Sequence, residues 1–145
     1  MSDGTPRMRD LAVRLMAWEA KASRSSGTRP KEVFLVCEKL RPHLSGLMGK
    51  TGYRALLSRA LVMARQKASL PGTMRVTAEG TLDGLDEPEM RVDANKLAVG
   101  SAILIALLLE LLAAFIGENM TLQIVREVWP KVTLDDSDFG EGATK

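Results

Sequence analysis

Apolar residues recur at spacings of three and four through much of the chain, the signature of helices with one buried face. Residues 5–23, TPRMRDLAVRLMAWEAKAS, place Met8, Leu11, Leu15 and Trp18 on one stripe. Thr5 can cap this helix and Pro6 suits its first position, where no backbone donor is needed. Residues 30–41 place Val33, Phe34, Cys37 and Leu40 on a second face, with Thr28 as a candidate cap. Pro42 is expected to bend or end that helix near Leu40 and Arg41, because proline lacks the N–H and crowds the preceding turn. The following HLSGLMGKTG carries three glycines and predicts a turn or a pair of short helical pieces. Residues 51–68 then set Tyr53, Leu56, Leu57, Ala60, Leu61 and Ala64 on an apolar face, opposite Arg54, Ser58, Arg65 and Lys67. Leu70-Pro71-Gly72 stops this third helix.

Residues 73–93 change period. Met74, Val76 and Ala78 alternate with polar residues and Glu79-Gly80 can turn, which predicts a short hairpin. Asp86 and Glu89 have the spacing of a capping box. A fourth helix is expected to start between Asp93 and Leu97, and Gly117 to break it. Residues 119–129 read as a fifth, capped by Asn119, with Met120, Ile124 and Val128 on one face and Pro130 at its end.

The fourth helix poses the main question. Ala98 to Ile116 holds 11 Leu, Ile, Val or Phe and a single charge, Glu110. At roughly −0.3 to −0.6 kcal/mol each, these residues outweigh about +3 kcal/mol for one central carboxylate, so insertion into a bilayer is allowed. Against a span stand the lack of an aromatic belt and the other amphipathic helices, whose apolar stripes need a shared centre. A helix that is apolar all round supplies one. Ala98, Ala102, Ala106, Glu110 and Ala114 form a ridge at a spacing of four that permits close helix contact. A buried Glu110 needs a partner, since an isolated carboxylate away from water is very costly. Arg54 or Arg59 of the third helix is a candidate; the alternative is that Glu110 sits at a subunit interface or a groove.

Aromatic residues make up 4% of the chain, which leaves the core to aliphatic side chains and favours helices. The charge is uneven. Residues 1–70 carry 14 Lys or Arg against 5 Asp or Glu, a net of +9. Residues 71–145 carry 6 against 13, a net of −7. The halves are expected to attract one another, or one of them to meet a charged partner. The spread of Arg and Lys through the first half admits salt-dependent phosphate binding. Yet no recognition helix or RNA-binding signature accompanies it, and few aromatics are free to stack on bases. One cysteine and an N-terminus without the apolar run of a secretory signal lead to an expected cytoplasmic setting.

The chemical motifs are weak. In GLMGKTG the first glycine of a phosphate loop is replaced by Leu44, and the preceding element reads as helix. Cys37 and His43 are six residues apart with Pro42 between them, so they do not make a nucleophile and base. Cys37 reads as a small core residue and His43 as a loop or capping residue. The single histidine and single cysteine remove zinc sites built from those residues. The acidic run Asp83, Asp86, Glu87, Glu89, Asp93 lacks the order of a calcium loop. Glu110 and Glu118 have no pocket between them to make a catalytic carboxylate pair.

Three stretches carry a resemblance. GYRALLSRALVMARQ, GTLDGLDE and FIGENMTLQIVREVWPKVTLDDSDFG together resemble a widespread family of small uncharacterised bacterial helical proteins. The match covers roughly residues 47–140. It implies a bacterial cytosolic setting and a polar residue amid the leucines of the apolar helix, which Glu110 echoes. It implies no activity, substrate or catalytic residue.

The expectation is an all-α domain over residues 1–134. About five helices surround a central apolar one, with a hairpin insertion and an acidic, disordered tail at 135–145. No catalytic, cofactor or metal residue is assigned. The expected role is a protein–protein interaction or adaptor module that self-associates, with Glu110, Ala102, Ala106, Arg54 and Arg59 as contact residues. A membrane-associated protein spanning at about 97–117 and a basic nucleic-acid binder are the alternatives.

Overall fold

A computed structural model of the chain describes residues 6–22, 32–68, 70, 74–83 and 94–132. The caps at Thr5 and Thr28, the Asp86–Glu89 box, most of the acidic run and the 135–145 tail lie outside these residues. The element order is α1 (Pro6–Ala22), α2 (Glu32–Lys67), β1 (Arg75–Val76), β2 (Leu82–Asp83), α3 (Ala94–Ile116) and α4 (Glu118–Val128). The fold is all-α with a small hairpin, and among the described residues it has four helices where about five were expected.

The difference lies in α2. Pro42 does not end the helix. It sits at an exposed position with helix on both sides. A proline inside a helix costs about 3 kcal/mol. Leu40 and Leu44, one turn apart across it and both fully buried, each contribute about 1.5–3 kcal/mol by leaving water. Packing therefore holds the helix together through the proline. The break comes at Gly49 instead, with φ 83° and ψ 159°. The segment HLSGLMGKTG is thus helical on either side of one residue, and His43 is an exposed helical position rather than part of a loop.

The hairpin forms where the alternation placed it, antiparallel, with Arg75 opposite Asp83 and Val76 opposite Leu82. Arg75 and Asp83 pair at 2.8 Å. Thr77 and Thr81 close the turn through their backbones at 2.8 Å and their hydroxyls at 2.8 Å. Ala78 belongs to the turn and is exposed. Buried Met74 and Leu82 fix the hairpin to α2, and the Arg65 guanidinium donates to the Met74 carbonyl. The turn residue Gly80 lies against Tyr53, where an added Cβ would sit 3.4 Å from the ring.

Helix α3 is the centre. It packs against α1, α2 and α4, and every residue from Gly100 to Leu109 is buried. Met8, Leu11 and Leu15 of α1 meet it from one side, and Tyr53, Leu57, Ala60, Leu61 and Ala64 of α2 complete the core. Helix α4 starts at Gly117, not through an Asn119 cap. Gly117 takes φ 97°, ψ 153° and supplies no side-chain bond, while Asn119 is exposed. The Thr121 hydroxyl donates to the Gly117 carbonyl at 2.8 Å. The buried face of α4 is Thr121, Leu122, Ile124 and Val125. Met120, expected on that face, is 45% exposed, because the glycine turn rotates the helix to present the 121/125 side to the core. Trp129 caps the end with its N–H on the Val125 carbonyl at 2.8 Å, and Pro130 follows.

Candidate functional site

The sequence-expected contact residues do not stay together in the fold. Ala102 and Ala106 are buried inside the domain, so that part of the alanine ridge serves packing within the chain. The same ridge reaches the surface at Ala114. Glu110 lies between, half-buried at the point where α3 emerges from the core. Arg54 and Arg59 are both exposed. Among the described residues neither arginine pairs with Glu110, so the expected internal ion pair is not formed.

Where α3 emerges, its C-terminal end and the second arm of α2 leave an open groove of about 510 Å³. Met48, Gly52, Ala55, Leu56 and Arg59 line one wall, and Leu111, Ala114 and Phe115 the other. From Gly52 onward these α2 residues recur at intervals of three and four, so they form a single stripe. Val62 extends the stripe one turn further and is 55% exposed. Phe115 stands at the opposite rim, 67% exposed. Arg54 falls on the other side of α2 and takes no part. Arg59 brings the one charge in an otherwise apolar lining. Glu110, one turn before Ala114, flanks the opposite wall.

Two polar clusters hold the domain from within. The first centres on Glu19, a carboxylate 2% exposed. Its Oε2 accepts from Trp129 Nε1 at 2.7 Å and lies 2.7 Å from Lys39 Nζ, so one oxygen joins α1, α2 and the end of α4. Sequence reasoning missed this residue, although Glu19 follows Leu11 and Leu15 at the same interval of four and so continues their buried row.

The second cluster lies where the hairpin meets α2. The Tyr53 hydroxyl donates to the Cys37 carbonyl at 3.1 Å. Arg41 binds Glu38 Oε1 through Nε at 3.2 Å and Nη2 at 2.8 Å. Glu38 Oε2 is buried with no hydrogen-bond partner. Burial, with a smaller contribution from Glu38, pushes the Cys37 thiol from 9.0 up to about 12. Burial likewise raises the Tyr53 phenol above its usual 10.0, and the bond to Glu38 holds Arg41 more firmly protonated. A thiol in this setting is a neutral core side chain at physiological pH, without the thiolate a nucleophile needs. Among the described residues no three His, Cys, Asp or Glu side chains converge as a metal set.

The groove is therefore the feature whose chemistry is turned outward. Compared with protein families, curated proteins and solved structures, the chain matches none.

Proposed function

We propose that this chain is a non-catalytic helical interaction module that associates with itself, in the bacterial cytoplasmic setting its motifs imply. The carrying observation is the groove between α2 and α3, whose lining is apolar except for Arg59 and whose rim exposes Phe115. An exposed aromatic beside a continuous apolar stripe is surface that association would remove from water. The interior supports the same reading, since Glu19, Trp129 and Tyr53 are engaged in holding the helices together.

Ala98–Ile116 is also long and apolar enough to cross a membrane, with a mean hydropathy of 2.5. However, 61% of that segment is already covered by the other helices. The two readings part in detergent-free buffer. Size-exclusion chromatography with light scattering over a concentration series should show a soluble species whose mass rises toward a defined oligomer. A chain that is monomeric at every concentration, or recovered only with detergent, would overturn the proposal.

A further inference from the structure

We infer that the occupant of the groove is a second copy of this chain, related by a two-fold axis. Phe115 of each copy enters the groove of the other, and Arg59 of each faces Glu110 of the other. This rests on the self-association reading and supplies its surface and geometry.

Charge decides the partner. Glu110 is half-buried in the most apolar helix of the molecule, and among the described residues it has no hydrogen bond or ion pair within the chain. Arg59 is in the same position on the facing wall. The base lines the α2 wall, while the acid lies one turn before Ala114 on α3. A two-fold contact places a patch against its own rotated copy, so that residue i meets j and j meets i. A patch with one positive and one negative wall complements itself under that operation. The two charges without a partner among the described residues of one copy become two ion pairs in the pair of copies. A uniformly basic or acidic partner would satisfy one wall and oppose the other.

Shape agrees with charge. Gly52, Ala55 and Ala114 keep both walls low, allowing helices to approach closely. Met48 and Leu56 give the floor a deformable apolar surface. The exposed ring of Phe115 is the projecting group that such a depression accommodates. The formal net charge of +2 offers little long-range repulsion between copies.

The test is sedimentation equilibrium on the full chain, comparing wild type with Phe115→Ala, Arg59→Glu, Glu110→Arg and the double reversal Arg59→Glu/Glu110→Arg. Circular dichroism would confirm that each variant is folded. Each single change is expected to weaken the dimer about ten-fold or more, as truncated or reversed interfacial charges do. The double reversal should return it to within a few-fold of wild type, because the pair is restored with its signs exchanged. That rescue keeps the inference testable even if a single variant is poorly folded. A wild-type dimer that all four variants leave unchanged would overturn this geometry while self-association stands. A double variant as weak as the sum of the singles would overturn the pairing. A monomeric wild type that floats with phosphatidylcholine vesicles would assign the groove to a lipid surface and overturn both readings.

Discussion

Glu19 holds distant parts of the chain with one oxygen atom, and its two donors are unequal. The Trp129 indole is fully buried and aligned at 2.7 Å. The Lys39 ammonium is at the same distance, but its side chain is 44% exposed, so water competes for it and screens the pair. Trp129→Phe keeps most of the ring and removes the donor, leaving a buried carboxylate short of one bond. Hydrogen bonds to charged groups contribute about 1.5–3 kcal/mol, and urea unfolding should show a loss of that size. An unchanged unfolding free energy would mean that the indole is not the anchor. The apolar core residues of α1 were legible from their spacing. The burial of Glu19 was hinted at only by its place four residues after Leu15, while its partner is a tryptophan 110 residues away that no local pattern connects to it.

The elements turn at glycines, and the two turns are alike. Gly49 and Gly117 both adopt positive φ with extended ψ, at 83°, 159° and 97°, 153°, a region that side chains avoid. At neither position would an added Cβ meet another atom within 4 Å. A substitution there tests the backbone alone. Gly49→Ala should destabilise the fold by about 1–3 kcal/mol in thermal or urea unfolding, with little change in helix content. A neutral or stabilising result would show that α2 can run straight, and that the bend does not need this conformation. The sequence reading set the bend at Pro42 and a cap at Asn119, the residues whose local chemistry favours a boundary. The helix does not end at Pro42, and Asn119 is not the cap of α4. Leu40 and Leu44 carry the helix past the proline, and the Gly117 turn starts α4 before Asn119 is reached. The hairpin was legible because its alternation and its Glu79-Gly80 turn coincide within ten residues, so local and tertiary preferences agree there.

For the whole molecule the decisive element is α3, whose composition fits a bilayer and whose surroundings fit a protein interior. Hydropathy could not separate these, since both solvents ask for the same side chains. What separates them is the set of faces brought against it: Leu11 and Leu15 from α1, Leu57 and Ala60 from α2, Leu122 and Val125 from α4. Their burial is what folding contributes here, and it vanishes if α3 leaves for a membrane. Leu108, at 0% exposure in the middle of the helix, tests this directly. In a packed core Leu108→Ala removes a methyl-rich side chain and leaves a cavity, at a cost of about 2–5 kcal/mol. In a bilayer, lipid tails would fill much of the space and the helix would need detergent to be handled at all. The expected outcome is cooperative urea unfolding of the wild-type chain in detergent-free buffer, with Leu108→Ala lowering the unfolding free energy by that amount through a lower midpoint at an unchanged m-value. An unchanged midpoint would show that α3 is not packed as the centre of this fold.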